Sequence, residues 1–252
     1  MALPIRDQLT AIARDILSGF GLLTRIPVPF TTPRPAGVWA WPFVGGVVGG
    51  IALSLGAAVQ VTGVAVSIAA ALVIAVQVAL TGGLHEDGLA DCADGFWGAH
   101  TRDRRLEIMK DSRIGSYGGI ALVLALLMRW SAIATLLGAG ACGLALAPAI
   151  LSRAAMGLVM AGLPNARAGG LAATHGKPSM TAAGVGASLA VALAVALVGW
   201  ATLGLVVAVA VTALALSQVA RAKIGGQTGD VLGAVQVLTE IAALATATAL
   251  LQ

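Results

Sequence analysis

Charge is scarce in this sequence. Only 10% of its 252 residues are Asp, Glu, Lys or Arg, whereas soluble domains carry about a quarter. That scarcity excludes an ordinary water-facing surface. With 58% hydrophobic residues and a mean hydropathy of +0.94, the chain belongs in a bilayer. Cysteine is nearly absent as well: Cys92 and Cys142 are the only two. One falls in a predicted cytoplasmic segment and the other inside a span, which gives no reason to expect a disulfide. There is no short-period repeat and no sign of a soluble second domain. The charge-free runs are too long, and too rich in Ala and Leu, for the strands of a barrel. Helices are the remaining way to satisfy the backbone inside lipid.

A hydrocarbon core of about 30 Å needs about 20 apolar residues. Residues 35–84 contain no charged side chain and are long enough for two helices turning at Thr62-Gly63. Residues 114–162 form a second pair turning near Gly138-Ala139-Gly140. Residues 177–221 form a third, breaking between Gly199 and Gly204, and a last helix runs from about Val231 to Leu251. The expected fold is therefore all-α and polytopic, with about seven transmembrane helices and a range of six to eight, in a single membrane-embedded unit over 1–252. Orientation follows from Lys and Arg, which are in excess in short cytoplasmic loops. Arg6, Arg14, Arg25 and Arg34 precede the first pair. Arg102, Arg104, Arg105, Lys110 and Arg113 follow it; Arg167 and Lys177 come next, then Arg221 and Lys223. The turns on the other side carry no charge. All charged segments are thus expected in the cytoplasm of a bacterium, with the protein in its cytoplasmic (inner) membrane. A pI of about 9.7 then requires no nucleic acid, because topology and anionic lipid account for it.

Residues 1–34 do not read as a cleavable signal, since Arg6, Asp7, Arg14 and Asp15 interrupt any apolar core. Ile5, Leu9, Ile12, Ile16 and Phe20 recur at helical spacing and predict an amphipathic helix on the inner surface. Pro27, Pro29, Pro33 and Pro35 form a connector, and Trp39 and Trp41 are expected in an interfacial aromatic belt.

Against this background the acids are unevenly placed. Seven of the eleven lie between Glu86 and Asp111, in HEDGLADCADG and just beyond it. On a helix Asp87, Asp91 and Asp94 stand at i, i+4 and i+7 and share one face; Cys92 points away from it. A solvated acidic loop is the plainer account, yet it needs neither the Asp-Gly pairs 87–88 and 94–95 nor the apolar Leu89, Ala90, Phe96 and Trp97. Glycine there admits the close approach of another backbone or a ligand. A cation would relieve the repulsion. Carboxylates without thiolate or clustered imidazole suit Mg²⁺, or Mn²⁺, better than zinc, and His85-Glu86 lacks the second His four residues on that a zinc helix requires. Mg²⁺ held by one or two carboxylates usually takes phosphate oxygens too. The basic residues that follow could meet phosphate, although topology alone accounts equally well for each of them.

HEDGLADCADGFWG followed by RRLEIMKDSRIGSYG resembles the signature of the cobalamin synthase family, the membrane adenosylcobinamide-GDP ribazoletransferases. Shorter pieces extend the resemblance along the chain: Thr24 to Pro27, Trp41 to Gly45, Ser152-Arg153-Ala154, Ala166 to Gly170, and Gly226 to Ala234. Cys92 stands where the family pattern has Thr, a departure that leaves the acids in place. The resemblance implies transfer of phosphocobinamide from adenosylcobinamide-GDP to the ribose 3′-hydroxyl of α-ribazole or α-ribazole 5′-phosphate, with release of GMP. It implies Glu86, Asp87, Asp91 and Asp94 at Mg²⁺. Asp111 or Asp94 would serve as catalytic base, and Arg102, Arg105, Lys110 and Arg113 would meet substrate phosphate. Asp230, Arg153 and Arg167 are further candidates, Asp230 equally readable as a helix cap. Arg129 and Arg153 fall within apolar spans, where an ionisable side chain marks function unless it snorkels to the interface. Self-association, or association with enzymes of the same pathway, is compatible with the sequence. The competing classes are a relative of the CDP-alcohol phosphotransferases, whose Ala-Arg pair after the first Asp-Gly is missing here, and a divalent-cation transporter, which would spread its acids over several spans.

Overall fold

The computed structural model describes residues 5–29, 31–32, 34–170 and 175–251. The elements are α1 (Ile5–Leu23), a 3₁₀ turn (Pro35–Ala40), α2 (Trp41–Val61), α3 (Val66–Thr81), α4 (Leu84–Gly98), α5 (Arg102–Ile108), α6 (Ser116–Gly138), α7 (Cys142–Gly162), α8 (Met180–Val198), a second 3₁₀ turn (Gly199–Ala201), α9 (Thr202–Ile224) and α10 (Gly229–Ala249). No strand occurs among the described residues. Pro33 and the side chain of Ile5, parts of the predicted connector and amphipathic face, lie outside the described residues.

Among the described residues five helical stretches are long and apolar enough to cross a membrane, and the bent pair α3–α4 makes a sixth. One of the five, Met180–Ile224, is 45 residues long, about twice the requirement for one crossing. It folds back at Gly199, so that Met180 and Gln218 from its opposite halves line one cavity. Counted as two crossings, it brings the total to seven, the expected number. The turns fall where the sequence places glycine in the left-handed region: Gly63 at φ 88°, Gly140 at 68° and Gly199 at 58°.

The second predicted span is not one straight helix. Gly82 and Gly83 both adopt left-handed conformations, at φ 68° and 69°, and two such residues in succession turn the chain by 89° between α3 and α4. Residues with a Cβ resist that conformation, so this pair fixes where α4 leaves α3. From there α4 packs along the first turns of α10 and against α6. The approach to α10 is close because each helix sets a glycine against the other's backbone: a methyl group on Gly88 would lie 2.7 Å from the Asp230 carbonyl oxygen, and one on Gly233 3.2 Å from His85 Cα. Helices α7 and α10 form the buried centre, flanked by α2, α4, α6, α8 and α9. Small residues again permit contact, and a methyl on Gly45 of α2 would sit 2.2 Å from the Ala149 carbonyl of α7.

Two sequence expectations change here. Trp41 is buried rather than part of an interfacial belt, because the 3₁₀ turn carries it inward over α1. Its neighbour Trp39 donates its indole N–H to Asp15 at 2.9 Å. Arg129 and Arg153 do not snorkel; each is 3% exposed. Arg129 Nη1 donates to Glu86 Oε1 at 2.6 Å, and its Nη2 donates to Gln77 at 2.7 Å and lies 3.6 Å from Glu240 Oε1. Arg153 lies 3.6 Å from the other Glu240 oxygen and donates to the Ala149 carbonyl. Gln236 donates to both Glu240 and Ser152. Two guanidinium and two carboxylate groups thus balance one another inside the bundle. Glu240 joins α6 and α7 to α10, and Glu86 ties the first turn of α4 to the same group.

Removing one member of a buried pair leaves its partner uncompensated, at a cost of about 3–5 kcal/mol. Glu240→Gln is expected to lower the unfolding midpoint in detergent by roughly 10 °C. Gly50→Ala, at a helix position with nothing within 4 Å, is expected to leave it unchanged. Thermal unfolding followed by circular dichroism checks both, and equal midpoints for Glu240→Gln and the parent would contradict a structural role for the ion group.

Candidate active site

The polar end of the bundle is assembled from three distant segments. The loop after α7 is held to the loop before α10 by two backbone hydrogen bonds: Ala166 N–H donates to the Gln227 carbonyl and Gln227 N–H to the Pro164 carbonyl, both at 2.8 Å. This pairing brings Arg167 to the start of α10. Thr228 caps that helix by accepting from Val231 N–H at 3.3 Å, and its hydroxyl donates to Asp230 Oδ2 at 3.1 Å. The same oxygen receives Arg167 Nη2 at 3.1 Å. Asp230 is therefore an oriented carboxylate, while Thr228 provides the helix cap.

Opposite Asp230 runs α4. Asp87 is exposed and Asp91 half-buried. Asp91 faces the like charges of Asp230 and Asp87 and the opposite charge of Arg167. No hydrogen bond or ion pair among the described residues engages the carboxylates of Asp87 or Asp91. Asp87, Asp230 and Arg167 border a cavity of about 240 Å³ that also reaches His85, His175, Trp41, Met156 and Met160. Burial lowers the pKa of His175 below its ordinary 6.5, so its ring is neutral at pH 7.

The other sequence candidates are placed elsewhere. Glu86 turns inward to Arg129. Asp94 accepts the Gly115 and Gly118 N–H groups at 2.7 and 2.9 Å and so closes the N-terminus of α6, whose first amides otherwise lack partners. Arg102 donates to the carbonyls of Ile224 and Ala166, and Arg105 to those of Ala99 and Lys223. Both arginines satisfy chain ends around the C-terminus of α9. Asp111 and Arg113 form a surface pair, with Nη2 2.6 Å from Oδ2; Lys110 is exposed beside them. Arg153 belongs to the buried ion group. The site thus gathers Asp87, Asp91, Asp230 and Arg167.

Two contributors escaped sequence reasoning. Glu240 had a signal, an isolated acid in an apolar span. His175 had none, because only the fold carries it under Trp41, with ring centroids 5.7 Å apart.

The donor set offers carboxylate oxygen, which suits a hard cation. Among the described residues no group of three or more His, Cys, Asp or Glu side chains forms a ready-made cage. An ion that keeps its waters and binds phosphate oxygens needs only one or two carboxylates, so the residues fit Mg²⁺.

Apolar helices long enough to cross a membrane, with two carboxylates and an arginine bordering one cavity among them, define a polytopic membrane protein. A family model described as cobalamin-5-phosphate synthase matches residues 15–248, and the chain belongs to that family. It is 44% identical over 251 residues to the adenosylcobinamide-GDP ribazoletransferase of Azorhizobium caulinodans, covering 92% of this chain and 94% of the relative. The enzyme of the same name from Mesorhizobium japonicum is 39% identical, with 94% and 95% covered. That from Brucella ovis is 37% identical, with 94% and 97% covered. No solved structure matches. The chain is a transferase of cobalamin synthesis.

Two strong hydrogen-bond interactions with Arg113 hold the Asp111 carboxyl down at about 2, from an ordinary 3.8. A depressed carboxyl pKa favours the paired fold above the unfolded value, and the contribution is lost as pH falls through about 2. In Arg113→Ala, which removes the guanidinium and keeps the backbone N–H donor to Asp111, the carboxyl is expected to titrate above about 2 and short of its ordinary 3.8. Side-chain carbon NMR of selectively labelled protein reads this directly, and a titration unmoved by the substitution would mean that the pair does not form in solution.

Proposed function

We propose that the chain transfers phosphocobinamide from adenosylcobinamide-GDP to α-ribazole or α-ribazole 5′-phosphate, with Asp87, Asp91, Asp230 and Arg167 as the reacting centre. The ribose 3′-oxygen forms a bond to the phosphorus that carries cobinamide. The bond from that phosphorus to GMP breaks, and the hydroxyl proton passes to a carboxylate. The observation that carries this reading is the convergence of Asp87 and Asp91 with Asp230 and Arg167 from chain segments far apart in sequence.

Asp94 and Asp111 have their oxygens engaged by N–H donors, so the proton-accepting role falls to Asp91, which faces the cavity group without such a partner. Arg167 supplies a fixed positive charge for phosphate oxygens, and its pairing with Asp230 sets its direction. Asp87 and Asp230 would hold Mg²⁺, or Mn²⁺, whose chemistry when bound is to offset the charge of the pyrophosphate. The apolar wall at Met156 and Met160 limits water beside the reacting bond. The protein lies in the inner membrane with this site facing the cytoplasm, consistent with the lysines and arginines clustered at that end.

In detergent, with both substrates and Mg²⁺, Asp87→Asn and Asp91→Asn are each expected to release GMP at least about 10²-fold more slowly than the parent. Asp111→Asn is expected to stay within a few-fold. Loss of turnover in Asp111→Asn with both other variants active would place the reaction elsewhere. For orientation, Cys142 is exposed at the start of α7 and Cys92 is buried. A membrane-impermeant maleimide is expected to label Cys142 in spheroplasts, and labelling confined to inverted vesicles would reverse the topology.

A further inference from the structure

The cavity beside the carboxylates contains two imidazoles without hydrogen-bond partners. Among the described residues neither ring nitrogen of His85 or of His175 has one, and the two are 2% and 3% exposed. Buried polar atoms are nearly always paired, and leaving one unpaired is destabilising. Both rings border the same cavity, away from bulk water. Their unmet donors and acceptors mark a place for a ligand that brings a polar atom to meet them.

The walls narrow the ligand further. The polar groups Asp87, Asp230 and Arg167 also border the cavity, and Trp41, Met156 and Met160 supply an apolar lining. Trp41 and His175 offer ring faces for stacking, and the methionines form an adaptable wall. About 240 Å³ suits a fused two-ring base and is far too small for a corrin. Of the two bases in the proposed reaction, guanine carries more donors and acceptors around its rings than two imidazoles can meet, and the remainder would face methionine. The dimethylbenzimidazole of α-ribazole presents two methyl groups and, with ribose on one nitrogen, a single ring acceptor. A neutral imidazole N–H can supply one donor to that nitrogen.

We propose that this cavity seats the apolar aromatic base of the acceptor nucleoside, with a histidine N–H donating to its free ring nitrogen and Trp41 against its face. The base then directs the attached ribose toward Asp87 and Asp230. The assignment rests on the transfer reaction proposed above and names the half of the substrate pair that this cavity selects. His85 and His175 are specificity-determining residues here, and Trp41, Met156 and Met160 supply shape.

The test uses the full chain in detergent with α-ribazole as the probe, measured both by equilibrium dialysis and as KM in turnover. His175→Phe keeps a buried ring and removes its nitrogens; it is expected to weaken α-ribazole binding about tenfold and to leave the KM for adenosylcobinamide-GDP within twofold. Guanosine is expected not to displace α-ribazole. On the unaltered protein, benzimidazole riboside lacking both methyl groups is expected to bind about tenfold more weakly, a result that needs no variant to fold. Displacement by guanosine, equal binding of the two ribosides, or a KM rise confined to adenosylcobinamide-GDP in His175→Phe would each overturn the assignment. Binding of α-ribazole without turnover by the parent would overturn the transfer reaction and leave the cavity assignment standing. Turnover with both KM values unmoved by His175→Phe would do the reverse.

Discussion

A charge inside a bilayer needs a partner of opposite sign, and the balance among Arg129, Arg153, Glu86 and Glu240 meets that need at the centre of this protein. Neither arginine reaches water, so each must meet carboxylate within the bundle. The consequence is geometric as well as electrostatic. Glu86 is the third residue of α4, and binding it to Arg129 draws the start of that helix inward. Asp87, the next residue, is thereby set beside α10 at the mouth of the cavity. The position of the site follows from a neutralisation that takes place next to it.

The acidic segment is best understood as a set of carboxylates sorted by what each meets. One inward turn of α4 sends Glu86 to a buried guanidinium. The adjacent face sends Asp87 and Asp91 toward Asp230. A turn later, Asp94 meets the open N-terminus of α6 and accepts two of its amides. Asp111 lies beyond α5 and pairs on the surface with Arg113. The basic residues divide in the same way, since Arg102 and Arg105 satisfy carbonyls around the C-terminus of α9 and Arg167 alone joins the carboxylates of the cavity. Residues of one type in one short stretch thus have different duties, decided by which unsatisfied group lies within reach of each.

Glycine makes this arrangement feasible. Gly82 and Gly83 turn the chain so that α4 can run along α10, and Gly88 lets the two backbones approach until Asp91 and Asp230 face one another. Neither effect could be weighed from the sequence alone. A glycine pair at a span end reads as an ordinary turn, and the partner that makes Gly88 necessary lies more than a hundred residues away. His175 is the extreme case, a single imidazole in a polar loop whose significance comes wholly from burial beneath Trp41.

Composition and charge spacing determined the solvent, the helical class and the number of crossings, because the thickness of a hydrocarbon core and the need to satisfy every backbone amide act on any sequence in the same way. The motif from His85 to Gly118 determined the family, since a long run of specific residues is its own signature. Tertiary structure alone decided which acids gather. Helical periodicity fixes the face a side chain shares with its neighbours, whereas the packing of α4 against α6 and α10 fixes what that face meets. Asp87 met a cavity and Asp91 the charges beside it, Asp94 met a helix end, and Asp230, distant in the chain, completed the group.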